Sequence, residues 1–230
     1  MQHSKSQIEQ SRPKQSWPKQ GWIGPTSLVA LSLIPLLAGA VRVAGLSSLG
    51  PITPENARFV ASPLPISVHI ISASVFCILG AFQFWPNLQG ITRKWHRLAG
   101  HIMVPCGVLA AVTALWMTLF YPLAPNDGPL LYWERLVFGT AMLVSLMLGA
   151  YAISQRDFPT HRKWMMRGYA IGLGAGTQAV TQLPLILTFG PPSELHRGLL
   201  MGGAWVLNLL VAESVLREPQ PRARHMPFLT

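Results

Sequence analysis

Six apolar runs, each near the length a bilayer demands, constrain this chain more than any other feature. They cover 26–46, 66–85, about 98–120, about 131–153, about 164–187 and about 196–216. A membrane-crossing helix needs about 20 predominantly apolar residues. Charged residues make up 11% of the chain, against about 25% in an ordinary soluble domain. They are gathered into short runs between the apolar segments. The expected fold is therefore all-α: a polytopic membrane protein, a bundle of about six transmembrane helices over 26–216.

Prolines punctuate the connections at Pro51, Pro54, Pro86, Pro122, Pro125, Pro129, Pro191 and Pro192. Pro35, Pro105 and Pro184 fall inside spans, where membrane helices tolerate them. The opening stretch, 1–25, is polar and proline-interrupted, without the apolar core of a signal peptide. It reads as a disordered basic cytoplasmic tail, with 217–230 as a second cytoplasmic tail. Trp22, Trp85, Trp95, Trp133 and Trp164 sit near span ends, where indole rings favour the interface.

The basic residues orient the bundle. The first tail, the connections after spans two and four, and the last tail hold 14 Lys and Arg, whereas the alternate loops hold 3: Arg58, Arg135 and Arg197. The positive-inside rule then puts both termini in the cytoplasm. The same rule accounts for the formal net charge of +10 without a nucleic-acid partner. The partners expected are the lipid bilayer and, at the cytoplasmic face, anionic headgroups meeting residues such as Arg162, Lys163 and Arg167. Cys77 and Cys106 lie inside apolar runs and read as small buried hydrophobes.

The stretch HRKWMMRGYAIGLGAGTQ, 161–178, superficially suggests a nucleotide loop. That loop requires a preceding strand and an acid about 20 residues on, and neither is there. Gly168, Gly172 and Gly176 recur at i, i+4 and i+8, which suits one close-packing helix face.

Ionisable residues at membrane depth mark a functional site by default, and two layers of them emerge. On the cytoplasmic side lie Gln83, His96, His101, His161, Arg167 and Glu213; on the outer side lie Arg42, His69, Glu134, Arg135, Gln182 and His196. His69, His96, His101 and His161 are the candidate cofactor ligands. His96 and His101 are about 140° apart around a helix, so they cannot share a ligand without distortion. Histidines on separate helices suit bis-histidine ligation of haem b, with His101 and His161 as an inner pair and His69 and His196 as an outer one. A metal site using His96, His101 or His161 with Glu213 is a chemical alternative. Gln83, Arg167, Gln178 and Glu213 suit a polar path for protons or solutes, with Gln182 and Asn208 nearby; the bland reading of such residues is interhelical hydrogen bonding. Arg42 can snorkel outward, and Glu134 with Arg135 suits an interfacial position. Asp127 and Asp157, the only aspartates, read as plain loop residues.

No serine elbow, His-Glu-x-x-His or aspartate pair is present, so a soluble-substrate enzyme is not expected. If the chain is an enzyme, membrane oxidoreductase is the class its histidines suit. The main expectation is a multi-pass membrane protein with a histidine and polar cluster near the cytoplasmic face, for cofactor binding or for proton or solute handling. The alternatives are a haem-b electron carrier and a non-catalytic scaffold or partner subunit.

The segments VHIISASVFCILGAFQF, RKWHRLAGH, HRKWMMRGYAIGLGAGTQ and MGGAWVLNLLVAES together resemble a bacterial family of predicted membrane proteins, domain of unknown function 2306. The resemblance spans roughly 25–216. It implies a multi-pass inner-membrane protein with no established activity. His69, Gln83, His96, His161, Trp164 and Arg167 match the family's characteristic positions. His101 departs from it, standing where many members carry arginine.

Overall fold

A computed structural model describes residues 23–47, 51–83 and 93–217. The tails expected at 1–25 and 217–230 fall almost wholly outside the described residues, as do Trp22, Trp85 and Pro86. In chain order the helices are α1 (Ile23–Ser47), α2 (Ala57–Ala61), α3 (Pro63–Gln83), α4 (Arg93–Phe120), α5 (Pro129–Ser154), α6 (Phe158–Gly172), α7 (Gly174–Phe189) and α8 (Glu194–Arg217). Among the described residues there is no strand. Six segments are long and apolar enough to cross a membrane, with α6 and α7 together forming the fifth.

The expected spans stand, with ends shifted by a few residues. The largest extensions are at α4, which starts at Arg93, and α6, which starts at Phe158. Asp157 explains the second. Its side chain accepts from the Thr160 backbone N–H, and Pro159 sits in the first turn, so the helix is capped well before the apolar run begins.

Spans alternate in direction, so the bundle has two chemically distinct ends. Gln83, His96, Gly149, His161, Arg167 and Glu213 meet at the terminal end, where the described chain starts and stops. Ser62, Tyr121, Pro122, Asp127 and Arg197 meet at the far end. Leu37, Val41, Trp133, Leu187 and Phe189 are exposed on the outside, as side chains solvated by lipid tails would be.

The core is built where bulky side chains enter spaces left by glycine. Phe76 is 1% exposed, and a Cβ added at either Gly107 or Gly172 would lie 2.6 Å from its ring. Leu146, fully buried, occupies the next layer, against Gly168 of α6. Met103, Met142, Met165 and Tyr169 fill the remainder.

Gly168, Gly172 and Gly176 are close-packing positions, as expected, but they do not share one face. The helix breaks at Leu173, and the three glycines meet three different partners: Leu146 on α5, Phe76 on α3 and Leu31 on α1. Gly176 N–H bonds to Leu173 O at 3.0 Å, three residues back, which leaves the Gly172 carbonyl without its usual helical donor. The thiol of Cys77 donates to that carbonyl at 3.7 Å. Asn208 Nδ2 donates to Ala170 O at 3.0 Å and its Oδ1 accepts from Thr177 at 2.8 Å, so one side chain spans the break. Exposed backbone groups cost several kcal/mol in hydrocarbon, and these side chains remove that cost.

Candidate functional site

The far end is organised by a carboxylate. Ala124–Gly128 form a tight turn, with Asn126 at φ 64 and Asp127 N–H donating to Ala124 O. This turn directs the Asp127 carboxylate inward, where its side chain is fully enclosed. Oδ2 accepts from Arg135 Nη1 at 2.7 Å and Oδ1 from Arg197 Nε at 2.9 Å. An enclosed charge is tolerable only when paired, and here two pairs join the turn to α5 and α8. The plain loop reading of Asp127 is thereby corrected: it lies in a loop, yet it clamps two helices.

Two more arginines approach this network. Arg42, from α1, and Arg58, from the unforeseen short helix α2, both stand over the ring of Phe59, at 4.7 and 4.6 Å. Arg58 Nη1 donates to Pro122 O at 3.2 Å, while its Nε is buried without a hydrogen-bond partner. Burial lowers the Arg58 pKa; Asp127 opposes that shift, and Arg135, Arg42 and Arg197 add to it. Among the described residues, neither Arg42 nor Arg58 forms an ion pair with a carboxylate. Four guanidiniums thus share one neighbourhood with Asp127, while the Glu194 carboxylate lies beside Gly128, the next residue.

Beneath this rim lies a cavity of about 580 Å³, within the size range of small-molecule sites. Arg42, Arg58, Arg135 and Tyr121 line it at the far end, and Phe76, Ile171, Gly172 and Leu173 line it near the helix break. Residues from all eight helices line it. Beside it α6 ends at Gly172, and α7 packs against α1. Contact with α1 is close: a Cβ at Gly176 would collide with the Leu31 carbonyl oxygen. Pro35, four residues on, has no N–H to offer that carbonyl.

His69 lines the cavity, six residues into α3 and so about 9 Å from the helix start. Its Nδ1 lies 2.9 Å from Ala110 O and 3.2 Å from Thr113 Oγ1. A carbonyl can only accept, so Nδ1 carries the proton and donates; in the neutral ring Nε2 then bears the lone pair. Gln178 also lines the cavity, with Nε2 donating to Met201 O at 3.2 Å.

The other sequence-derived residues lie elsewhere. At the terminal end Arg167 chelates Glu213, Nε to Oε1 at 2.5 Å and Nη2 to Oε2 at 3.2 Å, and stands over Trp164 at 4.9 Å. Gln83 Nε2 donates to His96 O at 3.2 Å. His161 Nδ1 pairs with Gly149 O at 2.8 Å. His101 is exposed and bonded to Arg97 O of its own helix, and His196 is exposed and bonded to Ser193. Neither lines the cavity. Among the described residues no three His, Cys, Asp or Glu side chains gather as a metal site. Glu134 Oε2 is enclosed without a partner, and its carboxylate packs on Gly202.

Sequence reasoning passed over Asp127 and Arg58. A signal for Asp127 was present: it is an acid in a loop between apolar spans, with Arg135 two turns into the following span.

Fold and site together define a polytopic α-helical membrane protein with an intramembrane cavity rimmed by arginine. Residues 66–216 match the family described as Predicted membrane protein (DUF2306), and the chain belongs to that family. Arg42 and Arg58 lie before the matched interval. No curated protein and no solved structure matches the chain.

Proposed function

We propose that this protein binds a small molecule within the membrane, in the cavity that His69 lines. The carrying observation is the state of that imidazole. Nδ1–H is committed to Ala110 O, so the ring is fixed in orientation and tautomer, leaving Nε2 as an acceptor for an occupant. A pocket with apolar walls and a few fixed polar groups is the usual form of a small-molecule site. Cofactor binding and solute or proton handling both fit this arrangement, with His69 as the polar anchor in either case.

Haem b is the second reading. A histidine whose Nδ1–H donates to a carbonyl is held as ligating imidazoles usually are, and His69 supplies one such ligand. The chain would then be a membrane redox protein.

The test is native mass spectrometry of the purified chain released from detergent, with absorbance spectra of the oxidised and dithionite-reduced protein. A non-covalent adduct on the wild type that disappears in Ala114→Trp, which fills the cavity, and weakens in His69→Leu supports the reading. An adduct unaffected by both variants rejects it. A Soret band lost in His69→Leu identifies the occupant as haem.

The 14-to-3 distribution of basic residues supports a terminal end facing the cytoplasm of an inner membrane, with Arg162 and Lys163 near anionic headgroups. Reporter fusions at residue 217 and in the 122–128 loop test this orientation. Activity of a periplasm-dependent reporter at 217 would reverse it.

A further inference from the structure

We infer that the occupant of the cavity is an anionic amphiphile, its carboxylate or phosphate held by Arg42 and Arg58 and its apolar chain running past His69 toward Phe76. This rests on the reading of the cavity as a binding site and adds the chemical class of the ligand. Arg135 and Arg197 are both ion-paired to Asp127, whereas Arg42 and Arg58 form no ion pair among the described residues. Both line the cavity and stand over Phe59, Arg42 exposed and Arg58 half-buried. Phe59 is itself buried and packs edge-on against Tyr121, with ring centroids 5.6 Å apart, so the platform that holds the two guanidiniums is fixed. The buried Arg58 Nε still has a hydrogen to donate. An arginine needed only for topology could snorkel to water; Arg58 instead keeps a donor enclosed, which is costly unless an acceptor arrives. Below the rim the walls are mainly apolar down to Phe76, Met142 and Leu173, broken by His69, Gln178 and the hydroxyls of Ser32, Ser74 and Thr118. One end of the site thus selects negative charge and the rest selects hydrocarbon.

The experiment uses the full chain in uncharged-lipid nanodiscs and a C16 fatty acid, a C16 lysophosphatidate, a C16 monoacylglycerol and inorganic phosphate as probes. Expected is tighter binding of the fatty acid or the lysophosphatidate than of the uncharged monoacylglycerol, with no competition from inorganic phosphate. Preference between the two charged probes identifies the headgroup as carboxylate or phosphate. Arg42→Gln and Arg58→Gln should each weaken charged-probe binding about tenfold, the scale of one lost charged hydrogen bond, and leave the monoacylglycerol unchanged. Arg42→Lys and Arg58→Lys, which keep the charge, should restore part of the loss and show that folding is intact. Equal binding of charged and uncharged chains, blocked by Ala114→Trp, would overturn the anionic assignment and leave the cavity reading standing. Competition by inorganic phosphate at equal concentration would overturn the amphiphile. Binding of no probe would overturn both readings.

Discussion

Arg197 donates from Nε to Asp127 Oδ1 at 2.9 Å across 70 residues of sequence, joining the first turn of α8 to the loop before α5. Because Arg135 shares the same carboxylate, removing it strands two cations together. Asp127→Asn should destabilise the protein by about 2–3 kcal/mol. That is below the 3–5 kcal/mol of a fully buried pair, since the arginine side chains remain 26% and 28% exposed. Thermal unfolding of the detergent-purified variant checks this, and a change under about 0.5 kcal/mol would mean that solvent already screens the network.

The Arg167–Glu213 chelate has a similar geometry and a different weight. Its side chains are 29% and 35% exposed, so a surface value of about 0.2–1 kcal/mol applies. A double-mutant cycle on Arg167→Met and Glu213→Gln should return a coupling in that range. Salt should reduce it, whereas the Asp127 pairs should respond less.

Two glycines on different helices separate packing from propensity. At Gly176 an added methyl meets the Leu31 backbone, which cannot rotate away, so Gly176→Ala should cost about 1–3 kcal/mol. At Gly203 there is open space within 4 Å, so Gly203→Ala should be neutral or stabilise by up to about 1 kcal/mol. Melting temperatures of the two variants moving in the same direction would contradict this account.

Asn208 spans the break at Leu173 with two hydrogen bonds. Interhelical bonds in membranes average about 0.6 kcal/mol, so Asn208→Leu should cost about 1 kcal/mol. Hydrogen exchange localises the effect: protection should fall at 173–177 and remain unchanged at the far end of α5.

Asp157 gives a pH dependence whose sign is fixed. The hydrogen bond from Thr160 holds its carboxyl below the usual aspartate value. Its capping contribution is therefore fully present above about pH 4 and is lost as pH falls through the lower folded value. Protection factors of the amides at 158, 160 and 161 should fall in acid. Asp157→Ala should show that lower protection at neutral pH and remove the acid dependence.

The six spans are legible in the primary structure, because hydrocarbon leaves a helix no choice but to satisfy its own backbone, and an apolar run of about 20 residues is read without reference to any neighbour. The sequence also marked His69 and Gln178, since polar residues inside such runs stand out individually. The break at Leu173 could not be read that way. Gly172 and Gly174 are compatible with a continuous helix, and it is Cys77, Asn208 and the approach of Leu31, from three other helices, that make the interrupted form satisfied. Tertiary structure alone decided the site. Arg42, Arg58, Arg135, Arg197 and Asp127 come from five separate elements, each ordinary at its own interface, and they become a charged rim only when the bundle brings them together. Hydropathy is a property of a segment, whereas a charged rim over a cavity depends on distances between segments.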